Sequence, residues 1–319
     1  MQSAEPAPKN GQGSGVMSHS TGDKVLLPFE KMQAVGNDFV VISTDEWPEQ
    51  DWQRLAVDVC NRHFGVGSDG LLVVSRTEGT GFRMRMFNPD GTEDGCGNGL
   101  RCAARFAWIH LDSSARCMAA TMAGLQPTEI LWHGDVKSMV RVGMGQPQLS
   151  PSSVPVQSDL DPVVDLAVSV GNHERLLTCV NTGSTHAVIF LNRPVDQDVF
   201  QTESPVLETH ALFPQRTTIL WAWPEGAGRF HVRIWERGAG ETMGCGTGAC
   251  AVAVAARLHG MTEGPVDVVS SGGSLQIEQD SSGSIWMTGP AASVFRGMWA
   301  IPSLPAQAGN QEAAAPAGL

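Results

Sequence analysis

The sequence predicts an α+β protein of two pseudo-symmetric domains, each a curled, mainly antiparallel sheet wrapped around one central buried helix. Three observations carry that prediction. The pattern Gly-Cys-Gly-polar-Gly occurs twice, at Gly95–Gly99 and at Gly244–Gly248, about half the chain apart. Each copy opens a segment that is apolar on nearly every face, LRCAARFAWIHL and ACAVAVAARLHG, and a helix of that kind must be surrounded by protein. Most other periodic stretches are strands followed by strands, with few helices between, which is the α+β pattern rather than the doubly wound one. A length of 319 residues accommodates two domains with a core each.

Residues 1–27 are polar and rich in Gly, Ser, Pro and Ala, and read as a disordered extension; the tail 305–319 is equally low in complexity. The N-terminal domain, residues 28–150, opens with PFEKMQAVGNDFVVIST: a strand, a polar turn at Gly36-Asn37-Asp38, and a second strand, Phe39–Ile42. In EQDWQRLAVDVCNRHFG, the apolar Trp52, Leu55, Ala56, Val59 and Cys60 recur at helical spacing, with Gly65 as the stop. A glycine-rich turn then leads into the strand Leu71–Val74. GFRMRMFNPDG alternates as a strand and closes on the turn Asn88-Pro89-Asp90-Gly91. The first cysteine loop and its helix follow, and residues 119–148 alternate in strand fashion. The Pro/Ser-rich run GMGQPQLSPSSVPVQS marks the domain boundary. The C-terminal domain, residues 151–296, holds the strands DLAVSVG, RLLTCVNT, HAVIFL, TTILWAW and RFHVRIWERG, then the second cysteine loop and helix. PVDVVS, SLQIEQ and IWMTGP read as meander strands, and 297–304, in VFRGMWAI, as a strand returning to the N-terminal domain.

Twenty-one basic against thirty-three acidic residues give a net charge of −12, which argues against nucleic acid or an anionic membrane as partner. An anionic small molecule is still compatible, because local nests of amides can outweigh net charge. No apolar run approaches the ~18 residues of a membrane span. The N-terminus has no apolar stretch behind a basic end, so no signal peptide is expected. The seven cysteines, an odd number without an export signal, suggest reduced thiols in a cytoplasm. None forms a Cys-x-x-Cys pair, so no metal site is expected.

Cys96 and Cys245 carry the chemistry. Packing beside close helix–strand contacts would explain one such loop, but two matching loops, each opening a buried helix, make that reading weaker. A pair of phosphate-cradling loops would explain the glycines, yet neither loop carries the Lys-Ser/Thr of a P-loop. A thiol at a helix N-terminus is expected to have a lowered pKa and to sit beside an anion-binding nest. Two facing thiols suit inversion at a carbon acid: a thiolate takes the α-proton from one face and a thiol protonates the other. The amides of Gly97, Asn98, Gly246 and Thr247 would stabilise the charge that develops on a carboxylate held between them.

The motifs KMQAVGNDFVVI, NRHFGVGSDGLLVV, FNPDGTEDGCGNGLRCAARF, VNTGSTHAVIF, ERGAGETMGCGTGACAVAVAA and WMTGPAASVF together resemble the diaminopimelate epimerase family, over about residues 29 to 300. The resemblance implies interconversion of LL- and meso-2,6-diaminopimelate, in lysine and peptidoglycan synthesis, without a cofactor and usually as a homodimer. It implies that Cys96 and Cys245 are the acid–base pair, that Gly97 with Asn98 and Gly246 with Thr247 bind the α-carboxylate, and that Asn37 contacts substrate. It assigns Asn88 and Arg237 to the distal end of the substrate, Arg being suited to bidentate carboxylate binding, and Glu236 to the substrate ammonium. His186 and Glu236 are implied to support the thiols.

Several positions depart from the family pattern. The loop from Asn88 to Cys96 is one residue shorter, Gly70 stands where glutamine is frequent, and Ser184 and Thr218 stand where substrate-binding asparagines are common. Ser and Thr still hydrogen-bond but reach less far. The alternatives are therefore a cofactor-independent racemase of another amino acid and a non-catalytic amino-acid-binding protein on the same scaffold.

Overall fold

The computed structural model describes residues 24–45 and 50–302. The expected tail, and most of the expected N-terminal extension, lie outside the described residues. The first half contains β1 (Lys24–Ala34), β2 (Asn37–Ser43), α1 (Trp52–Cys60), β3 (Gly70–Arg76), β4 (Phe82–Phe87), β5 (Glu93–Asp94), α2 (Gly97–His110), β6 (Arg116–Thr121), β7 (Gly124–His133) and β8 (Lys137–Gly145). The second contains β9 (Leu166–Val170), β10 (His173–Asn181), β11 (Thr185–Phe190), α3 (Gln197–Glu208), β12 (Thr218–Pro224), β13 (Arg229–Glu236), β14 (Gly240–Thr242), α4 (Gly246–Leu258), β15 (Val266–Ser270), β16 (Gly273–Gln279) and β17 (Ile285–Pro302).

The pairing pattern repeats. In the first half β2 and β3 are parallel across α1, and β4 and β6 are parallel across α2. In the second, β11 and β12 are parallel across α3, and β13 and β15 across α4. The other pairings are antiparallel. The two halves are thus one supersecondary pattern used twice, with α2 and α4 as its central helices. The residues from Asn98 to Trp108 in α2, and from Gly248 to Ala256 in α4, are buried without interruption, so each helix is enclosed by the strands around it.

The structure changes several expected boundaries. β1 begins at Lys24, inside the stretch assigned to the extension. The β1–β2 turn is Val35-Gly36, with φ of +50° and +83°, and Asn37 and Asp38 already belong to β2. A β-branched residue at positive φ is strained; Val35 keeps it because the turn is wedged against Met243 and Gly272 of the other half. α1 buries the five expected apolar residues but stops at Cys60. Gly65 serves instead a tight return of the chain over the helix end, where a Cβ would lie 2.3 Å from the Asp58 carbonyl oxygen. The helix α3 was not expected from the sequence, since Pro205 lies inside it and interrupts its pattern; it occupies the place that α1 holds in the first half.

IWMTGP and VFRGMWAI are not separate strands. They form the single eighteen-residue β17, which pairs with β16 at Ile285–Thr288, with β8 over Ile285–Ala292, and with β1 over Ala292–Pro302. The crossing back to the first half therefore begins at residue 285, not 297. One continuous hydrophobic core runs through both halves by way of α2 and α4, and smaller clusters fill the space beneath α1 and α3. The N-termini of α2 and α4 consequently meet at the junction of the halves.

Candidate active site

Each cysteine is the N-cap of its helix. Cys96 (φ −147°, ψ 112°) accepts from the Gly99 N–H at 3.2 Å, and Cys245 (φ −130°, ψ 115°) accepts from the Gly248 N–H at 3.4 Å. The glycines make this possible. A Cβ at Gly99 would lie 3.3 Å from the Cys96 sulfur, and one at Gly248 would lie 3.2 Å from the Cys245 Cβ. Gly97 and Gly246 press on the same side chain, Met287, which sits between the two helix ends. In the first copy of the motif nothing lies within 4 Å of a Cβ at Gly95; in the second, a Cβ at Gly244 would lie 2.4 Å from the Val35 carbonyl oxygen. The repeated glycine thus has a packing reason in one copy only.

Both loops open into one cleft of about 1140 Å³. Its walls include Cys96 and Cys245, the four amide-bearing positions Gly97, Asn98, Gly246 and Thr247, and Asn37, Asn88, Ser184, Thr218, Glu236 and Arg237. The structure therefore brings together every residue singled out in the sequence except one. His186 is fully buried behind the cleft wall, and neither ring nitrogen has a hydrogen-bond partner among the described residues. Burial, with the Arg237 charge adding, pushes its pKa down to about 3, so the imidazole is neutral. His186, implied to support the thiols, makes no hydrogen bond to either sulfur here.

The thiol electrostatics also correct an expectation. Burial pushes Cys96 up to about 11 and Cys245 well above its ordinary value. The helix-end hydrogen bonds from Gly99 and Gly248 work in the lowering direction but are outweighed, because an ion in this apolar setting loses its water. The Glu236 carboxylate adds to the rise at both sulfurs; its Oε1 accepts from the Cys245 thiol at 3.5 Å, and burial raises its own pKa. Both cysteines are protonated at neutral pH in the free protein.

The substrate-facing side chains are held by neighbours. Thr218 is not free to reach far into the cleft: its Oγ1 accepts from the Arg237 N–H at 3.1 Å and so braces that loop. The buried Glu208 accepts from the next amide, that of Gly238, at 2.9 Å. The Arg237 guanidinium has no carboxylate within ion-pair distance among the described residues, and its Nη1 donates only weakly to the Gln215 carbonyl, at 3.5 Å. Asn88 lies in the turn closed by Gly91 (φ +85°), with its Nδ2 donating to Thr92 Oγ1 at 3.0 Å. Asn37 donates from Nδ2 to Asp69 Oδ2 at 2.7 Å. Asn98 donates across the junction to the Gly244 carbonyl at 3.2 Å and accepts from Arg101 at 2.8 Å.

The sequence reading missed Asp69, which lines the cleft, and Arg101, which is buried behind it and holds Asn98. Arg101 left a signal there, as a cation within a helix apolar on nearly every other face. Asp69 left none beyond its place in a glycine-rich turn.

A family model described as diaminopimelate epimerase matches residues 29–150 and 178–294. The diaminopimelate epimerase of Moorella thermoacetica is 42% identical over 276 residues, covering 85% of this chain and 98% of that protein. The one from Desulforudis audaxviator is 41% identical over 278 residues, covering 86% and 99%. The chain belongs to the diaminopimelate epimerase family. It is accordingly an isomerase of the epimerase type, in a family that works without pyridoxal phosphate, and it acts on an amino acid as a small-molecule substrate. Among solved structures, a hydroxyproline epimerase from Agrobacterium vitis superposes with a TM-score of 0.63 at 11% identity, covering 90% of this chain and 94% of that one. A phenazine biosynthesis protein of the PhzF family from Bacillus anthracis gives 0.59 at 18%, covering 86% and 99%. At such identities these neighbours share the fold, which is that of this epimerase family.

Proposed function

We propose that this epimerase interconverts LL- and meso-2,6-diaminopimelate by proton transfer between Cys96 and Cys245, in the supply of lysine and peptidoglycan precursors. The observation that carries the reading is the pair of thiols capping two helices whose first turns open into one cleft. An α-carboxylate placed there meets the free N–H groups of Gly97, Asn98, Gly246 and Thr247, where the helix dipoles favour negative charge. As the α-proton leaves, charge flows onto that carboxylate, and the fixed amides stabilise it without reorganising. One sulfur removes the proton while the other delivers its own to the opposite face. Because both thiols rest protonated, one must lose its proton when substrate binds; the Glu236 carboxylate, in contact with Cys245, can accept it. Cys245 and Glu236 then titrate as a pair.

At the far end, the carboxylate-free Arg237 suits a second carboxylate, beside Asn88. A binding protein without catalysis would need neither thiol. Oxygen from Ser184 and the engaged Thr218 replace longer amides at this end, which favours testing other amino acids alongside diaminopimelate. A homodimer and a cytoplasmic setting complete the reading; the seven unpaired thiols support a reducing compartment.

The experiment is incubation with LL-diaminopimelate in deuterated water. Deuterium is expected at one α-carbon, together with meso product. Exchange with another amino acid from a panel, and none with diaminopimelate, would move the assignment to a racemase of that compound. Cys96→Ala and Cys245→Ala are each expected to abolish turnover while leaving ligand binding measurable.

A further inference from the structure

A guanidinium can only donate hydrogen bonds and a carboxylate can only accept them. Two such groups terminate a chain of side chains beneath the cleft. Arg101 Nη2 donates to Asn98 Oδ1 at 2.8 Å, so the Asn98 amide nitrogen must point the other way. There it donates to the Gly244 carbonyl at 3.2 Å and to Asn37 Oδ1 at 3.4 Å. At the opposite end, Asp69 Oδ2 takes the Asn37 Nδ2 donor at 2.7 Å, which turns Asn37 Oδ1 toward Asn98 and toward the Cys96 sulfur, 3.9 Å away. Every link runs in one direction, from Arg101 through Asn98 and Asn37 to Asp69.

We infer that Arg101 and Asp69 are positioning residues for the reaction, locking two asparagine amides in the one orientation that joins the cysteine loops and presents an acceptor to the Cys96 thiol. The inference rests on the two-thiol reading above and extends it to residues that act through others. Stability does not explain the buried end. Arg101 is fully buried and, among the described residues, has no carboxylate within ion-pair distance; its remaining contacts are the Pro290 carbonyl at 3.3 Å and the Met287 sulfur at 3.2 Å. A buried cation without a counter-charge is a poor stabilising device, and an apolar side chain of similar size does as well or better. Asp69 is partly exposed, its ion pair with the exposed Arg62 contributes little, and its Oδ2 also accepts from the Asp38 N–H at 3.1 Å, which fixes the backbone next to Asn37. Free of its fixed ends, an asparagine amide can turn over at small cost. Nδ2 would then face Cys96, and the link to Gly244 would be cut.

The test combines unfolding temperature and steady-state kinetics on diaminopimelate for Arg101→Met, Asp69→Ala and the double variant. Arg101→Met is expected to melt at or above the wild-type temperature yet lose about 100-fold in kcat/KM, the scale of a misplaced reacting group, with the loss mainly in kcat. Asp69→Ala is expected to lose about tenfold. The double variant should resemble Arg101→Met, because either break frees the same amides. Losses that multiply, or a folded single variant within about threefold of wild type, would overturn the inference. If Arg101→Met does not fold, Asp69→Ala in an Asn37→Ala background carries the test: no further loss supports the chain, and a further tenfold loss refutes it. A wild-type protein inactive on diaminopimelate refutes the assigned substrate, whereas active wild type with unaffected variants refutes the chain alone.

Discussion

The sulfur of Cys96 accepts a helix-end amide and still carries its proton, because its half-buried place in the cleft wall strips an ion of much of its water. That balance can be measured. Alkylation of Cys96 should be slow at pH 8 and should rise toward a midpoint near 11, against about 8.5 for an unperturbed cysteine. The linkage has a definite sign. A thiol whose pKa is raised by folding contributes stability in full below its unfolded value, and that stability is lost as pH rises from there through about 11. Glu236→Gln removes a negative charge that raises Cys96, so its alkylation midpoint should move down while turnover falls. An unchanged midpoint would exclude Glu236 as a source of the shift. At this scale the sequence made the cysteines legible, because a repeated spelling needs no coordinates. It misled on their acidity, since the number of amides at a helix end can be read from a motif and the depth of burial cannot.

The strand–turn–strand of β1 and β2 shows how an element from one half completes the site in the other. Its tip, Val35-Gly36, sits against Gly244, Gly272 and Met243, beside the second cysteine loop. The two copies of the glycine-cysteine motif should therefore respond differently to the same substitution. Gly244→Ala would place a methyl group 2.4 Å from the Val35 oxygen and is expected to cost about 1–3 kcal/mol of stability, read from the denaturant midpoint, and to lower kcat. Gly95→Ala meets nothing within 4 Å and should leave both within error. Equal effects would mean that the motif, not the hairpin contact, sets the requirement. Periodicity recovered α1 with the same five buried residues, and both central helices, because burial on one face or on all faces leaves a direct trace in sequence. It missed α3, whose Pro205 interrupts the pattern and whose buried residues include Glu203, Ser204 and Glu208.

The whole molecule is closed by its last strand. β17 passes from β16 across β8 to β1, and the buried Glu30 of β1 fastens it there by accepting from Ser293 and Arg296, while also accepting from His110 at the end of α2. Burial acts to raise the Glu30 pKa, but the hydrogen bonds from His110 and Ser293 and the nearby charge of Arg296 outweigh it and hold the carboxyl at about 2. A lowered pKa contributes stability that is complete above the unfolded value, near 4.5, and disappears as pH falls toward 2. Glu30→Gln should lower stability at pH 7 by on the order of 2–3 kcal/mol and flatten acid unfolding across that window. An acid transition as steep as that of the wild type would place the pH sensitivity elsewhere.

From sequence alone came the duplicated cysteine loop, the two enclosed helices, the mainly antiparallel sheets and the family. These depend on local spelling and periodicity, which survive without coordinates. The joining of both halves through one core and one eighteen-residue strand, the burial that keeps both thiols protonated, and the chain from Arg101 to Asp69 depend on groups far apart in sequence, such as Asn98 and Gly244, 146 residues apart. Desolvation and hydrogen-bond direction are properties of an assembled environment. Only the tertiary structure decides them.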